Sequence, residues 1–189
     1  MKWIGIDYGS KVAGTTAIYF LDKNTLMCLQ SEKKSDADIM IFNFIKEHNV
    51  ENVFLDAPLS LPGAFTNKNH EYFYRQCDKL TKAMSPMFLG GLTARAIKLK
   101  DSLPNVVFFE TYPAYLIKHV LEWQDDYLKK EKINSEIVNR FTKVLPNKLK
   151  QIPDNWHQLD ALACWYSGWR YFEGKSIQIG DKKEGVITV

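Results

Sequence analysis

The chain has 189 residues, 46% of them hydrophobic and 25% charged, which suits one domain with its own core and excludes a disordered or fibrous protein. A net charge of +3 is too small to argue for a polyanionic partner. Three widely spaced cysteines, an N-terminus unlike a secretory signal and no apolar run of about 18 residues argue against a disulfide framework, a zinc site, secretion and a membrane span, so we expect a cytoplasmic protein.

The first half of the chain predicts a three-stranded meander followed by a crossover. Residues 13–20 are β-branched and aromatic and should pair back on a buried strand at 2–8, with a third strand at 25–31. Ser35 or Asp36 can cap a helix, and a short apolar strand at 52–56 follows it.

The second half begins with an interruption. Residues 59–104 are rich in proline, contain a Gly-Gly pair and predict two helices, near 69–82 and 92–102, so we interpret them as a helical insertion. A fifth strand, three helices and a closing hairpin are predicted after it, at 105–110, 113–121, 134–144, 156–172, and 175–179 with 185–189.

This order of elements is that of an RNase H-like α/β domain, a mixed five-stranded sheet flanked by helices. We predict one such domain over residues 1–189, with the insertion at 59–104 following the fourth strand. Right-handed crossovers would place strands one, four and five side by side and parallel.

Each of those three strands ends in an acid: Asp7, Asp56 and Glu110. Ligand sites of open α/β sheets lie at the carboxyl ends of strands, and neighbouring strands are about 4.8 Å apart. Carboxylates so close repel one another unless a cation joins them, and a pair of Mg²⁺ or Mn²⁺ ions suits oxygen ligands at this spacing. Taken alone, each acid also fits a turn, a cap or a structural ion pair.

A fourth acid comes from the last helix. His157 and Asp160 are three residues apart and so share one side of the helix start. Asp160 is a hard oxygen ligand, whereas His157 suits Mn²⁺ better than Mg²⁺ or could shuttle a proton. A solvated first turn explains Asp160 as well, and a surface or packing role explains His157.

Several motifs resemble one family as an ordered set. They are GIDYG, LDAPLSLP, the R-x-C-D of Arg75 to Asp78, SPMFLGGLTAR, FFETYPA, HQLDALACW and EGVITV. Together they cover essentially the whole chain and resemble the predicted nuclease family called domain of unknown function 429, which is assigned to the RNase H-like superfamily. The H-x-x-D pair also looks like the last-helix ligands of Holliday-junction resolvases, whose strand acids would match Asp7 and Asp56. Glu110 has no place in that resolvase pattern.

The resemblance and the strand-end acids favour metal-dependent hydrolysis of phosphodiester bonds in DNA or RNA. Asp7, Asp56, Glu110 and Asp160 are the predicted metal ligands, and His157 is a predicted catalytic residue. Basic residues alternate with aromatics over 68–100, which suits phosphate contact and base stacking but equally a solvated helix face with its core aromatics. Arg75 and Arg95 are the predicted phosphate contacts, because the family motifs include them.

Two other functions remain open. Asp7-Tyr8-Gly9 also resembles the strand and turn of sugar kinases and actin-like ATPases, although those proteins clamp a nucleotide between two such domains. A non-catalytic RNase H-like binding module is the other alternative. A restriction-type nuclease is disfavoured, because Tyr112 stands where that chemistry needs a lysine two residues after the strand acid.

Overall fold

A computed structural model describes residues 1–129 and 132–189. Its strands are β1 (Trp3–Asp7), β2 (Ala17–Asp22), β3 (Thr25–Gln30), β4 (Asn52–Asp56), β5 (Val107–Glu110), β6 (Lys148–Leu149), β7 (Gln178–Asp181) and β8 (Gly185–Thr188). Its helices are α1 (Ala37–Glu47), α2 (Gln76–Thr81), α3 (Pro86–Leu89), α4 (Gly91–Asp101), α5 (Pro113–Tyr115), α6 (Ser135–Val144) and α7 (Trp156–Phe172), with a 3₁₀ turn at Gly63–Phe65 and a π-helical turn at Leu116–Val120. Among these described helices, none has the length and apolarity that a membrane span requires.

Within the described residues, eight strands form one mixed sheet in the order β6-β3-β2-β1-β4-β5-β8-β7. The meander β1-β2-β3 is antiparallel, while β4 and β5 run parallel to β1, as the predicted crossover connections require. This arrangement, with helices on both faces, is RNase H-like and confirms the predicted fold class.

The sheet is longer than the five strands predicted. The five predicted strands are β3, β2, β1, β4 and β5, which are neighbours in the sheet in that order. The short β6 extends one edge, and the C-terminal hairpin of β7 and β8 extends the other. An open edge offers unpaired backbone groups to any extended segment that reaches it. Which segment reaches the edge depends on the packing of the whole chain, so the hairpin was predicted but its partner strand was not.

Alternation along the central strands assigns each residue to one of two faces. In β1, Ile4 and Ile6 pack into the core beneath α1 and α4, which leaves Gly5 and Asp7 facing α7. In β4, Phe54 contacts Phe172 of α7, so Asp56, two residues on, faces α7 as well. The strand-end acids of β1 and β4 therefore lie on the α7 face.

Gly5 permits the close crossing of α7 over β1. A Cβ atom at this position would lie 2.0 Å from the backbone nitrogen of Trp165 and 2.6 Å from the carbonyl oxygen of Ala161. Any side chain there would push the helix away from the sheet. The close contact brings the first turns of α7 to the carboxyl end of β1.

Candidate metal centre

Three aspartates meet where α7 crosses the ends of β1 and β4. Asp7 and Asp56 are direct neighbours in the parallel register of the two strands, and both face the helix. Asp160, in the second turn of α7, completes the group, and one carboxylate oxygen from each aspartate lies within 4.8 Å of the others. The structure thus brings together three of the four predicted acids.

Asp56 is the least compensated member of this triad. Within residues 1–129 and 132–189, no donor forms a hydrogen bond with its carboxylate. Burial, and then the neighbouring charges of Asp7 and Asp160, raise its pKa well above the ordinary value. A carboxylate in this environment must either take a proton or find a cation, and three carboxylates are the oxygen donors that Mg²⁺ and Mn²⁺ prefer.

His157 contacts the triad through Asp7. Its Nδ1 lies 2.8 Å from Oδ2 of Asp7, and this hydrogen bond is the main cause that raises the histidine pKa above its ordinary value. The position of the ring follows from the helix start, where the Asn155 side chain caps α7 by accepting the Gln158 N–H at 3.1 Å. The ring is partly exposed, so it contacts both the triad and solvent.

Two residues of the site lie outside every predicted motif. The Tyr127 hydroxyl donates to Oδ1 of Asp160 at 2.7 Å, and the Lys129 ammonium donates to Oδ2. Burial disfavours the charged lysine, but the carboxylates of Asp160, Asp56 and Asp7 outweigh it and raise the Lys129 pKa. Burial also raises the pKa of Asp160, to about 6, with Lys129 opposing the shift.

Glu110 does not join the triad, and its predicted role as a metal ligand stays a prediction. It pairs in register with Leu55, one residue before Asp56, so alternation turns its side chain to the opposite face of the sheet. The next residue, Thr111, returns to the α7 face, where its hydroxyl donates to Oγ of Ser167 at 3.1 Å. β5 therefore carries a threonine toward α7, not a carboxylate.

Arg75 binds Glu110, which corrects the prediction that this arginine contacts phosphate. Its guanidinium is fully buried and donates to both carboxylate oxygens of Glu110, both of Asp78, and Oγ of Ser60. These bonds, 2.6 to 3.0 Å long, occupy the five N–H donors that an arginine has. None is left for a ligand.

Arg95 is more open. It makes two hydrogen bonds to the Asp38 carboxylate and one to the carbonyl of Gly9, and it stacks on the ring of Tyr8 at 4.7 Å. Its side chain is 22% exposed, and its remaining N–H groups have no acceptor among the residues that the structure describes. Arg95 lines a cleft of its own with Asp36, Asp38 and Lys98, next to the turn that follows β1.

A cleft of about 350 Å³ opens beside the carboxylates. Asp7, Asp56 and Lys129 line one part of it, and Met84 and Leu92 of the insertion line another. The insertion thus forms a wall of the candidate site. The cleft is large enough for a small substrate group next to the triad.

The fold and the triad define an RNase H-like domain with a candidate carboxylate metal centre. Comparison with solved structures finds a likeness to RuvC from Thermus thermophilus, with 15% identity, full coverage of both chains and a TM-score of 0.49. No protein-family model matches the chain, and a search of curated proteins finds no match. The resemblance to domain of unknown function 429 therefore rests on its motifs.

The triad predicts how stability depends on pH when no metal is supplied. The pKa values of Asp56, Asp160 and His157 are all raised, so these groups hold protons more tightly in the folded state. Their stabilisation is complete below the unfolded pKa values and is lost as pH rises through the folded ones. We expect the free energy of unfolding to fall by about 1–2 kcal/mol between about pH 5 and 8.

Urea unfolding in EDTA at a series of pH values measures this loss. Asp160→Asn is the control, because it removes a titrating group and should flatten the slope. Stability that rises over the same interval in the unaltered protein would contradict a repulsive carboxylate cluster.

Proposed function

We propose that this protein is a metal-dependent nuclease whose Asp7, Asp56 and Asp160 hold Mg²⁺ or Mn²⁺. The observation that carries the proposal is Asp56, an acid without a hydrogen-bond donor among the described residues, which lies within 4.8 Å of two other carboxylates. The motif resemblance to a predicted nuclease family supports the same function.

The proposed chemistry is hydrolysis of a phosphodiester bond without a covalent intermediate. When bound, a pair of such ions supplies an activated water and stabilises the oxygen that leaves. Asp7 and Asp56 are fixed by adjacent strands, so they hold their oxygens in place without reorganisation during the reaction. Asp160 joins them from α7.

His157 and Lys129 have supporting roles in the proposal. His157 holds a proton at Nδ1 against Asp7, and its partly exposed ring can exchange a second proton with solvent near neutral pH. Lys129 supplies positive charge at Asp160 and lines the same cleft, where it can also contact a phosphate oxygen.

The substrate that we propose is the backbone of DNA or RNA, with the scissile phosphate in the cleft beside the triad. Arg95 is the proposed phosphate contact on the β1 side, because it binds Gly9, two residues after Asp7, and two of its five N–H groups have no acceptor among the described residues. The charge of Arg95 is balanced by Asp38, so its contribution is directional hydrogen bonding more than net attraction.

Cleavage assays with and without metal test the function. End-labelled single-stranded and duplex DNA and RNA are incubated with the protein in Mg²⁺, in Mn²⁺ and in EDTA. We expect at least one polymer to be cleaved with either ion and none in EDTA. Polymers that stay intact with both ions, or cleavage that persists in EDTA, would overturn the proposal.

A further inference from the structure

A second cleft, of about 480 Å³, lies between β5 and the C-terminal hairpin. β5 and β8 are paired at one position in the described residues, Glu110 with Ile187. Phe108 and Phe109 line one side of the gap, and Val186 and Thr188 line the other. The cleft is therefore a consequence of the hairpin joining the sheet edge by a minimal contact.

Four exposed lysines line this cleft: Lys68, Lys100, Lys182 and Lys183. They come from the insertion, the end of α4 and the turn between β7 and β8. Among residues 1–129 and 132–189, none of the four has an ion-pair partner.

The two acids that also line the cleft are engaged elsewhere. Glu110 is bound by Arg75. The Glu184 carboxylate is buried and accepts hydrogen bonds from the backbone N–H of Gly63 and Gln76, both at 2.9 Å, and from Asn69 at 3.2 Å. Neither carboxylate is free to pair with a lysine, and the Asp181 carboxylate at the edge of the cleft accepts the backbone N–H of Lys183 at 2.8 Å, so the lysines outnumber the free acids around the cleft.

We propose that this lysine-lined cleft binds phosphate groups, presented by the backbone of a nucleic-acid strand. Ammonium groups are compact point charges that attract phosphate without fixed geometry, and several around one gap suit a polyanion. Such binding needs neither the triad nor a metal, so the site adds to the proposed function a second place where the polymer is held.

The two clefts are lined by consecutive residues of one segment of chain. Ala57 and Pro58 line the carboxylate cleft, and the next two residues, Leu59 and Ser60, line the lysine cleft. Glu110 lines both. Residues 57–60 span at most about 14 Å of chain, so a strand held by the lysines lies within a few nucleotides of the triad.

A metal-free binding assay tests the site. Fluorescence anisotropy in EDTA follows a labelled single strand of about 20 nucleotides, as DNA and as RNA, from about 50 to 200 mM salt. Lys182→Ala/Lys183→Ala is compared with Lys148→Ala/Lys150→Ala, which removes two exposed lysines at the opposite edge of the sheet. We expect the first pair to weaken binding roughly tenfold at low salt and to reduce the salt slope by about 1.4, and the second pair to change little.

A second arm separates the sources of phosphate. A fluorescent ATP analogue is titrated against the same proteins. Loss of analogue binding in Lys182→Ala/Lys183→Ala, with strand binding unchanged, would assign the cleft to a free triphosphate. It would overturn the proposal that a nucleic-acid strand binds there. Strand and analogue binding that the two double variants reduce equally, or not at all, would overturn the phosphate site. A strand that binds through these lysines but is never cleaved with metal would refute the nuclease and leave the cleft standing.

Discussion

Asp7→Asn is expected to lower the rate of phosphodiester cleavage roughly a hundred- to a thousandfold while the fold is retained. Asparagine keeps the shape of Asp7 and an acceptor for His157, but it removes one of the three charges that would anchor the ion. Single-turnover cleavage in saturating Mg²⁺ and in saturating Mn²⁺ measures the loss.

Two comparisons separate this effect from damage to the protein. Asp22→Asn is the matched control, because Asp22 is an exposed aspartate that also ends a strand. Since β2 runs antiparallel to β1, Asp22 lies at the opposite end of the strands from the triad. It should cleave at the normal rate. Without metal, Asp7→Asn should unfold at an equal or higher temperature, since it relieves repulsion with Asp56 and Asp160. A variant that cleaves as fast as the unaltered protein would remove Asp7 from the centre.

The carboxylate triad could be predicted from sequence because its geometry depends on few and local rules. Asp7 and Asp56 end buried strands that the topology makes neighbours, and their register matches residue for residue. The i, i+3 spacing of His157 and Asp160 fixed their common side of α7. Each of these relations follows from the strand period, the helix period or the crossover rule.

Glu110 shows where such rules end. It closes its strand as Asp7 and Asp56 close theirs, but β5 is offset by one residue, so Glu110 lies beside Leu55. A shift of one residue reverses the face of every side chain in a strand. The offset depends on how β5 packs against its neighbours, so it could not be predicted from the local sequence FFET.

Tyr127 and Lys129 were missed for a different reason. They lie in irregular chain between the π-helical turn and α6, where neither period applies. Their contact with Asp160 spans about thirty residues of sequence and depends on the path of that loop. A lysine beside a predicted acid cluster has no signature in sequence until the loop is placed.

The sequence shows that the insertion is rich in basic residues, but the role of each one depends on whether the fold buries it. Arg75 stands in a stretch of basic residues and aromatics that looks like a nucleic-acid surface. Of the two predicted phosphate contacts, Arg75 is completely buried, and it pairs with Asp78 of α2 and Glu110 of β5. Its role is to join the insertion to β5, and its removal should be felt as a loss of stability.

Arg75→Met is therefore expected to lower the free energy of unfolding by about 3–5 kcal/mol, because it leaves Glu110 and Asp78 buried without their cation. Urea unfolding at neutral pH measures the loss. Arg140→Met is the matched control, since Arg140 is 41% exposed in its ion pairs and should cost less than about 1 kcal/mol. Adding Asp78→Asn and Glu110→Gln to Arg75→Met removes the two unpaired charges and should recover part of the stability. If Arg75→Met unfolds at the same urea concentration as Arg140→Met, the buried arginine is not what fastens the insertion to the sheet.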